Sequence, residues 1–118
     1  MKNYPQFFTL WEDYIKPLEG SQISTITGKK SSILKVSNDG IERESSNAIV
    51  GLIEIEIFKK VYSILIEKKS ISRDDINNLY PKRASSFIAA VFSKVDFIDY
   101  SGRPAKLSLI DKKYLSYS

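Results

Sequence analysis

The segment SRDDINNLYPKRASSFIAAVF, residues 72–92, contains signals for two helix starts close together. Ser72 and the two aspartates that follow it predict the N-terminus of a first helix, because serine caps helices and carboxylates favour their positive end. Pro81 predicts that this helix ends at the preceding residue. A second apolar run predicts another helix over residues 84–94. Two short helices in this arrangement indicate either a helix-turn-helix that binds nucleic acid or a corner of a small core.

The sequences on either side of this segment extend the pattern. GLIEIEIFKKVYSILIEKK, residues 51–69, first alternates like a strand, but its apolar residues then recur at helical spacing over a length too great for one strand. We therefore predict a helix over residues 52–68. Downstream, residues 97–100 and 105–110 predict two strands joined by the turn sequence SGRP.

The first fifty residues predict a helix followed by a small sheet. Aromatic and aliphatic residues at three- and four-residue spacing predict a helix over residues 5–16. Three short stretches, residues 23–27, 32–37 and 41–45, are strand-like, and the NDG sequence between the last two is a hairpin signal. These strands predict an antiparallel β-meander.

The predicted fold class is α+β. It comprises an N-terminal helix and a small antiparallel β-meander, followed by three helices and a β-hairpin. The order of these last elements resembles that of winged-helix domains, which implies a three-helix winged-helix core with a C-terminal β-hairpin wing. The chain has 118 residues, of which 42% are hydrophobic and 27% charged, which predicts a single domain. Within it, residues 1–50 form the helix and meander, residues 51–110 the winged-helix part and residues 111–118 a tail.

The composition excludes several functional classes. The chain has no cysteine and no histidine, which removes disulfides, thiol nucleophiles, the usual zinc sites and the commonest general base. No apolar run approaches the roughly 20 residues of a membrane span, and the N-terminus lacks the apolar region of a signal peptide. We therefore expect a cytoplasmic protein with no metal, no cofactor and no membrane partner.

The charge is unevenly distributed along the chain. Residues 1–50 carry six basic and six acidic side chains, whereas residues 51–118 carry twelve basic and eight acidic ones. The whole net charge of +4 therefore belongs to the C-terminal part. A basic half is compatible with binding to a polyanion.

Catalytic signals are weak. The paired carboxylates have structural explanations, such as solvated helix faces and helix N-termini. Glu67-Lys68-Lys69 matches a fragment of restriction-type nucleases, with Asp39 as a distant metal partner, but that chemistry needs a strand and this fragment ends a predicted helix. We predict that the protein is not an enzyme.

The second helix start carries residues typical of a nucleic-acid contact. A helix N-terminus offers free backbone N–H groups and partial positive charge to phosphate, and an adjacent arginine can reach the edge of guanine. Because the helix is apolar after its first turn, only that turn could contact bases. The alternative is that a serine only caps the helix while the basic residues are ordinary loop charges. The predicted DNA-binding residues are Arg73, Lys82, Arg83, Ser85, Ser86, Arg103 and Lys106.

Two stretches carry a resemblance to a known class. ISRDDINNLYPKRASSFIAAVF, residues 71–92, and ITGKKSSILKVSNDGIERESS, residues 26–46, resemble winged helix-turn-helix DNA-binding domains of the kind associated with restriction and mobile-element proteins. The resemblance covers most of residues 20–110. It implies that the arginine and serines of residues 83–86 face DNA. The nuclease part of larger members has no counterpart here, which implies a stand-alone binder or a subunit.

The leading hypothesis is a non-enzymatic protein that binds double-stranded DNA. The alternative is a protein–protein interaction module on the same scaffold, such as a phage or host-defence factor that docks on an enzyme. A third possibility is a homodimer formed through the N-terminal helix. The aromatic residues that favour docking lie near the two ends of the chain: Phe7, Phe8, Trp11, Tyr100, Tyr114 and Tyr117.

Overall fold

The computed structural model describes residues 4–25 and 28–110, and in them the chain is an α+β protein with two antiparallel sheets. The predicted tail, residues 111–118 with its two tyrosines, lies outside the described residues. So do the last two residues of the strand predicted over 23–27. None of the described helices is long and apolar enough to cross a membrane.

The first sheet is the predicted meander, extended by one strand. Its strands, antiparallel neighbours in chain order, are β1 (Gln22–Ser24), β2 (Lys30–Ser37), β3 (Gly40–Glu44) and β4 (Val50–Glu54). Asn38 and Asp39 form the tight turn between β2 and β3, which confirms the predicted hairpin. Gly40 has a φ of 137°, and a side chain there would collide with the carbonyl of Ile53. Only glycine fits at this position.

The helix predicted over residues 52–68 begins later than expected. Residues of β4 pair with β3, with Ile53 opposite Ile41, and helix α2 occupies Ile55–Lys68. Glu54, at the N-cap of α2, still has an extended backbone. The predicted boundary was wrong because backbone pairing with β3 outweighed the helical spacing of the first apolar residues.

The N-terminal helix predicted over residues 5–16 is present but irregular. It comprises an α-helical turn, α1 (Phe7–Leu10), a π-helical turn (Trp11–Ile15) and a 3₁₀ turn (Lys16–Leu18). Trp11 is only 2% exposed; its ring lies 5.2 Å from that of Phe58, and its Nε1 donates to the Ser37 carbonyl at 3.0 Å. Trp11 is therefore a core residue rather than a docking aromatic, whereas Phe8 is 72% exposed.

The remaining elements form a second sheet and two further helices. In chain order they are β5 (Ser70–Ser72), α3 (Arg73–Leu79), α4 (Ser85–Phe92), β6 (Ile98–Ser101) and β7 (Lys106–Leu109). The sheet order is β5-β7-β6. The predicted hairpin of β6 and β7 is confirmed, but β5 was not predicted. Its sequence, Ser-Ile-Ser, is too short and polar to show a period, and it forms because Ile71 is buried opposite Leu107.

One continuous hydrophobic cluster connects the helices with both sheets. Phe58 and Tyr62 of α2 pack against Phe92 of α4, with ring centres 6.1 and 6.4 Å apart. The part of α4 from Phe87 onward is fully buried. As predicted, α4 therefore offers only its first turn to the surface.

Candidate functional site

A cleft of about 810 Å³ opens between the meander and the N-terminal ends of α3 and α4. We call it the polar cleft. Its volume lies within the roughly 300–1,000 Å³ of typical ligand sites. Among the described residues, one acidic side chain, Asp74, lines it. The basic residues that line it are Lys29, Arg43, Arg73, Lys82 and Arg83.

The polar cleft exists because the face of the meander that packs on the core changes from apolar to polar along its strands. At one end, the paired residues Ile41 and Ile53 are buried in the core. Two residues away on each strand, the same face carries Arg43 opposite Gly51. A Cβ built at Gly51 would meet nothing within 4 Å. The sheet therefore leaves open space beside Arg43.

The opposite wall includes the uncapped N-terminus of α4. Arg83 precedes it in the left-handed region, with a φ of 59°. Ala84 occupies the N-cap position and has no side chain that could accept a hydrogen bond. The alternative in which Ser85 or Ser86 caps the helix is therefore wrong. Because the first N–H groups of a helix have no acceptor within it, those of α4 are available to a ligand.

Arg73 connects the polar cleft to the β6–β7 hairpin. Its side-chain Nη1 donates to Ser86 Oγ at 3.5 Å, and its backbone N–H donates to the Ala105 carbonyl at 3.3 Å. The residue before it is the predicted N-cap. Asp75 N–H donates to Ser72 Oγ at 3.0 Å, and Ser72 N–H donates to Asp75 Oδ2 at 3.4 Å. This capping box fixes where α3 begins and therefore where Arg73 lies.

Arg43 lies between the two walls. Its guanidinium carbon is 4.8 Å from the centre of the Phe87 ring. The side chain is half-buried, and burial lowers the pKa of the guanidinium because a low dielectric disfavours the cation. Within residues 4–25 and 28–110, Arg43 has neither an ion pair nor a hydrogen-bond acceptor. Its donors are therefore available to an anion.

The structure brings most of the predicted site residues together. Those that line the polar cleft are Arg73, Lys82, Arg83, Ser85 and Ser86. The other two, Arg103 and Lys106, do not line it. Arg103 is exposed in the turn of the β6–β7 hairpin, and Lys106 is exposed on β7 opposite Ser72. Both residues belong to the β6–β7 hairpin, which contacts α3 where the Ala105 carbonyl accepts from the backbone N–H of Arg73.

Sequence reasoning missed several residues of the cleft, among them Lys29, Ser31 and Arg43. Lys29 directly precedes β2 and lines the cleft. Ser31 and Arg43 were not predicted at all. The signal for Arg43 was its alternation with Ile41, since residues two apart on a strand share a face. A cation at an inward-facing strand position needs an explanation.

The nuclease-like fragment does not assemble. Asp39 lies beside the start of α2, where its carbonyl accepts from Ile55 N–H. Glu67 lies near the other end of α2, twelve residues or roughly 18 Å further along the helix. Among the described residues, no cluster of three or more carboxylates could hold a metal ion.

The chain matches no protein-family model, and it has no significant match to a curated protein or a solved structure. The geometry of the cleft and hairpin therefore carries the functional interpretation.

Proposed function

We propose that this chain is a non-enzymatic protein that binds double-stranded DNA through the first turn of α4 and the β6–β7 hairpin. The observation that carries the proposal is the polar cleft, where five basic side chains and one acidic side chain surround an uncapped helix N-terminus. Clustered cations beside free N–H groups are a typical phosphate-binding arrangement.

The order of the elements supports a winged-helix scaffold for this function. Helices α2, α3 and α4 are followed by the β6–β7 hairpin, and β5, between the first two helices, pairs with β7. On such a scaffold α4 is the recognition helix and the hairpin is the wing. This assignment explains why the predicted residues fall in two groups, one at α4 and one on the hairpin.

The two groups have different roles in the proposed complex. The hydroxyls and N–H groups of Ser85 and Ser86 would donate to backbone phosphates, while Arg83 would reach either a phosphate or a guanine edge. Arg103 and Lys106 would neutralise phosphates beside the hairpin. Because α4 is apolar beyond its first turn, specificity would be shared between that turn and the hairpin.

Fluorescence anisotropy with a labelled duplex at several salt concentrations tests the proposal. We expect binding that weakens steeply with salt and a weaker, less salt-dependent complex for Arg83→Ala. Lys60 is exposed on α2 and does not line the cleft, so Lys60→Ala is the matched control and should bind like wild type. Unchanged binding in both Arg83→Ala and Arg103→Ala, with the fold intact, would contradict the proposal.

A second candidate function, docking on a protein, is favoured by the free edge of the meander. β4 is an edge strand on which Val50 is 55% exposed, and Ile49 before it and Leu52 are also exposed. An apolar edge is a template for strand addition. Sedimentation of wild type and Val50→Lys tests this with a second copy as partner. A dimer that is lost in Val50→Lys supports edge pairing, whereas one lost only in Phe8→Ser supports the N-terminal helix as the interface.

A further inference from the structure

The polar cleft contains hydrogen-bond donors that lack acceptors. Ser31 is 6% exposed, its side chain lines the cleft, and its hydroxyl has no partner in the described part of the chain. Arg43, on the neighbouring strand, has no acceptor there either. The uncapped first turn of α4 forms the facing wall. A hydroxyl, a guanidinium and a set of backbone N–H groups therefore line one cleft, in which Asp74 is the one acidic residue among those described.

A ligand in the cleft would supply the acceptor that these donors lack. Ser31 is 6% exposed and lines the cleft, so its hydroxyl can donate to a ligand there. A half-buried guanidinium without a carboxylate is costly, because withdrawing a charge from water is compensated only by a partner. Ser31 and Arg43 both belong to the meander. Their unpaired donors are therefore an observation independent of the helix N-terminus on the facing wall.

Phosphate is the ligand class that matches these donors. The planar fork of a guanidinium pairs with two phosphate oxygens, and helix N-termini bind phosphate through their N–H groups. A carboxylate has two oxygens and one charge, which leaves part of this donor set unsatisfied. At about 810 Å³, the cleft also has room for the sugar attached to a phosphate.

We propose that the polar cleft binds one phosphate group, held by the Arg43 guanidinium, the Ser31 hydroxyl and the first-turn N–H groups of α4. The meander is then half of the binding site and not only a support for the core. That the phosphate belongs to a DNA backbone rests on the proposed function. The phosphate pocket itself does not depend on the proposed function, since a free nucleotide also carries a phosphate group.

Two-dimensional ¹H–¹⁵N NMR of the full chain, titrated with inorganic phosphate at constant ionic strength, tests the pocket. We expect saturable shifts of the Ser85, Ser86 and Phe87 amides. Arg43→Gln should weaken this binding at least about tenfold, because it removes a charge-assisted donor pair. Lys60→Ala should leave it unchanged. Absence of saturable shifts in wild type, or equal affinity in Arg43→Gln, overturns the proposal.

A second variant keeps the test decisive if Arg43→Gln fails to fold. Gly51→Leu fills the open space beside Arg43, at a position where an added Cβ meets nothing within 4 Å and φ is not left-handed. The fold should be kept and the phosphate affinity lost. Wild-type affinity in a folded Gly51→Leu protein also overturns the pocket.

Duplex DNA titrated in parallel separates this inference from the proposed function. Phosphate binding without DNA binding means that the proposed function fails and the pocket is supported with a free phosphate compound as its ligand. DNA binding that is equal in wild type and Gly51→Leu, with no first-turn shift on phosphate addition, means that the pocket fails and the proposed function is supported. Loss of both ligands in Gly51→Leu supports a backbone phosphate in the cleft.

Discussion

The guanidinium of Arg43, on β3, lies 4.8 Å from the centre of the ring of Phe87, in the first turn of α4. The Phe87 ring is buried, and a cation over a desolvated aromatic ring contributes about 2 kcal/mol. Withdrawing an unpaired charge fully from water costs several kcal/mol, which exceeds the contribution of this contact. Arg43 is half-buried, so it bears part of that cost. The contact alone therefore does not explain why a cation occupies this position.

Replacing Arg43 by methionine is expected to stabilise the unliganded protein. Methionine keeps a favourable sulfur–aromatic contact with Phe87 and removes the desolvated charge, so the free energy of unfolding should rise by about 1 kcal/mol. Urea unfolding at low salt measures it. Lys60→Met, on the exposed face of α2, is the control and should change it little. A loss of more than about 1 kcal/mol in Arg43→Met would instead make Arg43 a structural residue.

The capping box at the start of α3 gives a second prediction. Ser72→Ala removes the acceptor for Asp75 N–H, and the free energy of unfolding should fall by about 1 kcal/mol. Thermal unfolding followed by circular dichroism measures the change. Ser63 is an exposed serine within α2, so Ser63→Ala should cause no loss. If Ser72→Ala were as stable as wild type, the box would not determine where α3 begins.

Much of the fold could be predicted because its signals are local. The capping serine at residue 72, the proline at 81 and the NDG hairpin each act through neighbouring backbone groups, and all three features are found in the structure. The buried run of α4 was also predictable, since an unbroken apolar stretch has no polar face to expose. Five of the predicted site residues lie at or just before the starts of α3 and α4, and all five line the polar cleft.

The features that were missed depend on distant partners. Residues 50–54 form a strand only because β3 supplies hydrogen-bond partners, and β5 forms only against β7. Arg43 joins the site because the meander folds back on α4, which the spacing of residues along either element does not reveal. Sequence patterns report which face a residue occupies, but not what that face will contact.

Gly40 provides a third prediction. Its φ of 137° and the closeness of the Ile53 carbonyl leave no room for a side chain, so Gly40→Ala should lower the free energy of unfolding by more than about 2 kcal/mol. Gly51→Ala is the matched control on β4, because a Cβ there meets nothing within 4 Å. Urea unfolding of both variants makes the comparison. Equal stability of the two variants would contradict the steric explanation.

Tyr62 predicts a loss of stability at alkaline pH. Burial raises the pKa of its phenol to about 12, and the hydroxyl donates to the Pro5 carbonyl at 2.7 Å. The folded pKa lies above the unfolded value of 10.0, so this stabilisation is complete below pH 10 and is lost as pH rises toward 12. The free energy of unfolding should fall across that window by at most about 1.4 kcal/mol per pH unit from this group.

Tyr62→Phe isolates this contribution from the other groups that titrate at alkaline pH. The variant loses the hydrogen bond to Pro5, which lowers its stability at neutral pH by about 1 kcal/mol. Its stability should then depend less steeply on pH between 10 and 12 than that of wild type. Identical slopes in the two proteins would show that Tyr62 does not titrate with a raised pKa.

The hairpin and the cleft should contribute independently to DNA binding if both contact phosphates. Arg83 lines the cleft, whereas Arg103 lies in the turn of the β6–β7 hairpin, outside it. Each substitution by alanine should reduce the slope of log affinity against log salt by about 1, and the double variant by about 2. Anisotropy titrations at four or more salt concentrations measure the slopes, with Lys60→Ala as control. If the double variant matched Arg83→Ala alone, the hairpin would not be part of the DNA interface, because distant and independent contacts add.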